Sequence, residues 1–271
     1  MEDSVQLILG DCSEKLKEIP NESIDLVVTS PPYDNLREYK GYSFDFETIA
    51  KELFRVIKKG GVIVWVVGDA TVDGSETGTS FKQALYFKDN LKLLLYDTMI
   101  YSKHGMPTDP RLRYYQRFEY MFIFSKSKPK TFNSIADIKS KNFLSNRLYN
   151  RVDRRGDKLL CFDRKTYSPE FSVRGNIWHY DCRNMKTGHP ASFPIQLAKD
   201  HIISWSNEGD TILDPFMGSG TTGVASAILN RNFIGIEISE EYFNLAKQRI
   251  ENPEDIISYK DPTPSLEYEE W

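Results

Sequence analysis

A hydroxyl, two prolines and an aromatic ring follow one another at Ser30, Pro31, Pro32 and Tyr33, directly after the apolar run Ile24-Asp25-Leu26-Val27-Val28 and Thr29. Adjacent prolines fix φ and donate no N–H, so this stretch cannot continue a sheet ladder. It forms a rigid loop that aims a side-chain oxygen and a ring at one spot. A simple strand-terminating turn uses the same residues, and the rest of the chain has to decide between the two.

The second chemical stretch is Asp214-Pro215-Phe216-Met217-Gly218-Ser219-Gly220-Thr221-Thr222, between an apolar strand and an apolar helix. Glycines two apart at a strand-to-helix turn let the backbone bend sharply and approach a ligand with no Cβ in the way. The helix start offers free N–H groups to a carboxylate or phosphate. No Lys-Ser/Thr pair follows the last glycine, so this is not a phosphate-binding loop of the nucleotide triphosphatases, and the third glycine of the dinucleotide fingerprint is missing. Seventeen residues after Gly220, the strand Phe233–Ile236 delivers Glu237, placed to hydrogen-bond ribose hydroxyls as acids at that position do in nucleotide-binding sheets.

These groups need a scaffold, and the periodicity supplies one. Val5–Leu9 reads as a strand ending at Gly10-Asp11, Ser13–Ile19 as a turn or two of helix, and Ile24–Val28 as a buried strand. Phe46–Ile57 carries Ile49, Leu53, Phe54 and Ile57 on one face of an amphipathic helix, stopped by Lys58-Lys59-Gly60-Gly61 before a buried strand at Val62–Val67. The polar segment Gly68–Ser80 is a loop at that strand's carboxyl end. A helix at Phe81–Asn90, strands near Leu94–Tyr101 and Tyr120–Phe124, a helix at Ile195–Trp205 and a strand at Thr211–Leu213 complete the reading. The rhythm predicts an α/β, doubly wound, mostly parallel sheet.

From residue 125 to 172 the periodicity fades while basic and aromatic residues mix, among them Arg147, Arg151, Arg154, Arg155 and Lys158. The net charge of −4 hides a strong asymmetry: Lys103 to Lys165 holds 16 Lys/Arg against 6 Asp/Glu, an excess of +10, which leaves −14 for the remainder. That is the footprint of a protein meeting a polyanion on one face. The expected organisation is a catalytic half at 1–124, a basic insert at 125–172, a cofactor-binding half at 173–252 and an acidic tail at 253–271. Three scattered cysteines and four isolated histidines suggest neither a disulfide framework nor a metal site. With no membrane-spanning run and no signal-like start, a cytoplasmic protein is expected.

Taken in chain order, TSPPY, DPFMGSGTT and the Gly235-Ile236-Glu237 strand end resemble the DNA amino-methyltransferases that use S-adenosylmethionine, in the permuted arrangement (the beta class) where the catalytic motif precedes the cofactor loop. The resemblance covers most of the chain and implies a Rossmann-like methyltransferase sheet with a small basic target-recognition insert. It further implies that Asp214 and the Gly218, Ser219, Gly220, Thr221 and Thr222 turn hold the amino-acid end of the cofactor. Glu237 would hold its ribose, Asp11 its adenine amino group, Phe216 would lie against the sulfonium-bearing chain, and Phe193, with Pro194, would pack over the methionine end. The target base must leave the duplex to be reached. Tyr33 then offers a stacking face, while Ser30 Oγ and the Pro31 carbonyl accept from the exocyclic amine. Serine is too weak a base to take a proton first, so methyl transfer precedes proton loss.

Within the family the serine form of the motif favours cytosine N4, with adenine N6 as the alternative. Methylation of RNA or of a protein glutamine, and a catalytically silent DNA-binding protein, are the remaining readings. The implied substrate is double-stranded DNA. A restriction endonuclease is a conceivable companion, and an insert below fifty residues is small for reading a site alone, which is compatible with a homodimer or with strong DNA distortion.

Overall fold

The computed structural model describes residues 4–32, 44–104, 114, 116–139, 170–181 and 193–253. The chain divides into two compact units, Ser134–Gly175 and the remainder.

In the larger unit the elements run β1 (Val5–Leu9), α1 (Cys12–Lys15) with one tight turn (Leu16–Glu18), β2 (Ile24–Thr29), α2 (Phe46–Val56), β3 (Ile57–Val67), a short exposed pair β4 (Thr71–Val72) and β5 (Ser75–Glu76), and α3 (Thr79–Leu85) widening into a π turn (Tyr86–Asn90). β6 (Leu94–His104) and β7 (Phe118–Ser125) follow. In the smaller unit come β8 (Ala136–Lys139) and β9 (Phe171–Val173). The larger unit resumes with β10 (Ile177–Asp181), α4 (Ile195–Trp205), β11 (Thr211–Asp214), α5 (Thr221–Ile228), β12 (Asn232–Glu237) and α6 (Glu240–Glu251).

Eight strands form one sheet in the order β1-β12-β11-β2-β3-β7-β6-β10. All neighbours are parallel except β7, which runs against both β3 and β6. The expected doubly wound, mostly parallel α/β sheet is therefore present. Alternation along β3 shows how both faces are buried: Ile63, Trp65 and Val67 join the core with Ile49, Leu53 and Val56 of α2 and with Phe87. Val62, Val64 and Val66, equally buried, point to the opposite face, the side on which α4 packs against β2 and β3.

Several boundaries differ from the sequence reading for local reasons. The expected turn at 58–61 is absorbed into β3, because Ile57 already pairs with Ile24 and the chain then bulges before Val62 pairs with Leu26. Gly60 takes φ 78°, and a Cβ on Gly61 would stand 2.8 Å from the Asp25 carbonyl oxygen, so the bulge needs both glycines. Lys58 fastens it to Asp25 at 2.6 Å. The smaller unit contributes an antiparallel pair, β8 with β9, fastened by an ion pair between Arg174 and Asp137.

Residues 125–133 belong to the larger unit. Ser125 ends β7 and donates to the Gly61 carbonyl at 2.7 Å, Lys126 reaches the Ile57 carbonyl at 3.0 Å and Glu22 at 3.1 Å, and Lys130 pairs with Asp25. Lys103 pairs with Glu119. Three cations of the basic stretch thus serve the sheet itself. Arg147, Arg151, Arg154, Arg155 and Lys158 lie outside the described residues, as do Tyr33 and the acidic tail beyond 253. Among the described residues no helix is long and apolar enough to cross a membrane, and no group of three or more His, Cys, Asp or Glu side chains is placed to hold a metal.

Candidate active site at the carboxyl edge of the sheet

The sheet changes winding direction between β11 and β2: the α5 crossover carries the chain from β11 outward to β12, whereas α2 carries it from β2 the other way to β3. Crevices of this kind, outside the carboxyl ends of the strands, are where open α/β sheets bind ligands. β2 ends there in Thr29 and Ser30, β11 in Asp214, β12 in Glu237 and β1 in Gly10-Asp11. Ser30, Asp214, Glu237 and Asp11, from both halves of the chain, therefore share one edge.

Asp214 is 2 % exposed and takes three hydrogen bonds: Oδ1 accepts from Thr29 Oγ1 at 2.7 Å and from the Phe216 amide at 3.1 Å, and Oδ2 from Thr222 Oγ1 at 2.8 Å. Burial nevertheless pushes its pKa up to about 6, outweighing the three bonds that favour the charged form, and the nearby Glu237 adds to the rise. A buried carboxylate whose charge burial opposes is a good counter-charge for a cationic ligand group.

The turn beyond it is locked from within. The Met217 amide donates to the Ile236 carbonyl and the Gly220 amide to the Met217 carbonyl, both at 2.9 Å. Glu237 Oε2 accepts from the Gly218 amide and Oε1 from the Ser239 amide, each at 2.8 Å, while burial raises its pKa too. Each oxygen keeps a second lone pair for a further donor. Gly218 and Gly220 have φ 53° and 79°, and a Cβ on Gly220 would stand 2.9 Å from that of Ala246 on α6. Glycine is required here for conformation and for helix packing together.

Ser219 and Thr221, 2 % and 5 % exposed, each bury a hydroxyl oxygen that has no hydrogen-bond partner among the described residues. Unsatisfied buried polar atoms are costly and rare, and two in one turn mark a place where a polar ligand group belongs. Phe216 is half-buried, with Phe44 packed edge-on at 5.6 Å and Trp65 at 6.4 Å. Asp11, exposed, caps α1 by accepting from the Ser13 amide at 2.8 Å, and the Gly10 amide ties it to the end of β12 through the Glu237 carbonyl at 2.9 Å. Phe193 is buried just before α4. β10 climbs to the carboxyl edge and β11 starts again from the amino edge, so α4 begins on the site's side. Ser30 and Pro32 are partly exposed and Pro31 is buried.

Two residues here take parts that the sequence reading does not assign to them, although Thr29 is the first residue of TSPPY. Thr29 is wholly buried and reads as one more strand residue. Arg249 on α6 is held by the carbonyl of Ser219, and burial lowers its pKa. A basic residue in the last turn of a helix is ordinarily a partner for that helix's own dipole, which hides its part in the turn.

A DNA methylase family model matches residues 24–248, spanning both motifs. The orphan methyltransferase M.BamHII of Bacillus amyloliquefaciens is 52 % identical over 255 residues, covering 90 % of this chain and 91 % of that protein. A Thermus thermophilus protein described as a DNA modification methylase, solved in complex with S-adenosyl-L-methionine, superposes with a TM-score of 0.60 at 28 % identity over 92 % of this chain and 95 % of its own. The PvuII cytosine-N4-specific DNA methyltransferase gives 0.66 at 21 % identity over 94 % and 92 %, a likeness of fold. The chain belongs to the N6/N4 amino-methyltransferase family of DNA methylases.

Proposed function

We propose that this chain transfers a methyl group from S-adenosylmethionine to the exocyclic amine of a base flipped out of double-stranded DNA, with cytosine N4 as the target. The observation that carries the reading is the meeting of Thr29-Ser30 and Asp214 across the crevice between β2 and β11, which brings the rigid proline loop and the glycine turn to one place.

The residues suit the cofactor. Asp214 provides a buried negative charge for its ammonium, the unpartnered Ser219 and Thr221 hydroxyls and the helix start suit its carboxylate, and Glu237 has lone pairs left for ribose hydroxyls. Asp11 is assigned the adenine amino group, with Phe216 and Phe193 as the apolar walls. S-adenosylmethionine supplies an electrophilic methyl on a sulfonium. The protein's part is positional and electrostatic: the Ser30 hydroxyl and Pro31 carbonyl accept from the target amine, drawing its lone pair out of ring conjugation, and Tyr33 stacks the base. The amine forms its bond to the methyl first, leaving the sulfur with the electron pair of the broken sulfur–methyl bond, and gives up a proton afterwards, since serine is too weak a base to take it first.

A short neutral side chain at position 30 leaves room for a pyrimidine to come close, which supports cytosine over adenine. The basic residues at Arg147, Arg151, Arg154, Arg155 and Lys158 are assigned to the DNA backbone, with a homodimer as the form in which a small insert addresses a full site and a restriction endonuclease as companion. Incubation of the protein with labelled cofactor and duplex DNA, followed by digestion to nucleosides and mass measurement, tests the assignment. N4-methylcytosine is the expected product. N6-methyladenine overturns the base choice, and the absence of any methylated nucleoside overturns the function.

A further inference from the structure

The β2–β11 ladder is short. It pairs Ile212 with Leu26 and Leu213 with Val27, and goes no further. Beyond it the two strands hand the chain to the two loops of the site, the proline loop from Ser30 and the glycine turn from Pro215. What spans the gap there is a pair of threonine hydroxyls. Thr29 Oγ1, on a residue with no exposed surface, donates to Asp214 Oδ1 at 2.7 Å; Thr222 Oγ1, also wholly buried, lies 2.8 Å from Asp214 Oδ2 and 3.3 Å from the Val28 carbonyl.

We propose that Thr29 is a positioning residue that latches the catalytic loop to the cofactor turn through Asp214 and so sets the separation between methyl donor and target amine. The inference rests on the functional reading above and gives a part to Thr29, the first residue of TSPPY, which that reading leaves without one. Three features support it. The bond stands where backbone pairing stops, so the alignment of the two loops depends on side chains. Both partners are dry, where a hydrogen bond to an ionised group is worth more than at the surface. Asp214 is held to its own loop by the Phe216 amide, so a movement of Thr29 is passed to the turn rather than absorbed by a free rotamer. Rate is steeply sensitive to such offsets, on the order of a hundredfold for about 1 Å of misplacement.

The test is Thr29→Val, which keeps the branched shape and removes the hydroxyl, beside Thr29→Ser, which keeps the hydroxyl. Single-turnover methylation at saturating cofactor and DNA should fall about ten- to a hundredfold in the valine variant and recover in the serine variant, with DNA affinity unchanged. A second readout needs no activity. The charged group acting on Asp214 is Glu237 from β12, while β2, α5 and the turn present hydroxyls and an amide, so losing the Thr29 donor should move the titration of Asp214 to higher pH. Thermal unfolding of the protein without cofactor, followed from pH 4 to 8, reports that shift, and the serine variant should reverse it. Wild-type single-turnover rates in the valine variant, or an unmoved titration, overturn the latch. A wild-type protein that methylates no DNA overturns the functional reading instead, and leaves the titration to decide about Thr29.

Discussion

Asp214→Asn separates what this carboxylate does for the fold from what it does for the cofactor. The amide is isosteric. Its oxygen can still accept from Thr29 Oγ1 and the Phe216 amide, and its NH2 faces Thr222 Oγ1, whose hydroxyl is free to donate instead to the Val28 carbonyl that it already approaches at 3.3 Å. One of the two amide hydrogens finds Thr222 Oγ1 and the other has no acceptor among the described residues, which offsets part of the gain from removing the charge. The charge, in contrast, is expensive: burial raises the pKa from the ordinary value of 3.8 to about 6, which corresponds to about 3 kcal/mol of native-state stability. A carboxyl whose folded pKa exceeds its unfolded one binds its proton more tightly when folded. The cost is therefore fully present above about pH 6 and vanishes below about pH 4. The asparagine variant without cofactor should accordingly be more stable than wild type at pH 7, by up to about 3 kcal/mol, with the difference closing as the pH falls towards 4. Calorimetry with S-adenosylmethionine should show the opposite sign: a loss of affinity on the order of a hundredfold at pH 7, as expected when a hydrogen-bonded counter-charge is removed from a buried site. Denaturant titrations across this pH range measure the first effect and isothermal calorimetry the second. An asparagine variant that is less stable at pH 7 yet binds the cofactor normally would refute the reasoning, since the carboxylate would then be a structural brace alone.

Other outcomes follow from the packing of the fold and, for the basic insert, from the charge pattern of the sequence. Gly223→Ala should destabilise the fold by about 1–3 kcal/mol, since the new methyl would press on Ile250 and stand 2.6 Å from the Phe233 ring; a lowered melting temperature is the check. His201, wholly buried against Trp178 with Nε2 3.2 Å from Met121 Sδ, has its pKa pushed down to about 3. The unfolded chain therefore takes up a proton below about pH 6.5 that the native state refuses, and stability is lost as the pH falls from there towards 3. His201→Leu should flatten that acid limb in a pH series of unfolding curves. Neutralising Arg151, Arg154 and Arg155 together should weaken DNA binding and reduce the slope of log affinity against log salt by about 3, read by anisotropy on a labelled duplex.

How much of this was legible beforehand varied with how local the cause was. The strand at Ile24–Val28, the helix at Ile195–Trp205 and the turn at Gly218–Gly220 announce themselves through periodicity and glycine spacing, because each is decided within its own dozen residues. The merger of Lys58–Gly61 into β3 was not legible, since it depends on pairing with Ile24 and on Lys58 finding Asp25. The same holds for Lys103, Lys126 and Lys130, which count towards a basic stretch in one dimension and neutralise Glu119, Glu22 and Asp25 in three. At the site, the chemistry-bearing types were visible and their braces were not. Thr29 is visible as the first residue of TSPPY but without a role, and Arg249 is an ordinary occupant of a helix end, until the fold puts Asp214 and Ser219 beside them.

The hydrogen bond from Thr29 to Asp214 joins positions 185 residues apart. While the chain is being synthesised, β2 can pair with β3, β3 with β7 and β7 with β6 before β11 exists; at ordinary elongation rates of about 5–20 residues per second the stretch from Ser125 to Thr211 takes on the order of ten seconds. For that interval the flank of β2 that β11 will occupy is an open strand edge, lined by Leu26, Val27 and Val28, all of which end with no exposed surface. The strand that carries the proline loop is thus the sticky edge of the nascent protein, and a ribosome stalled between residues 125 and 210 would present it to any partner strand nearby. Kinetic vulnerability and catalytic placement share one cause, the late arrival of the central strand.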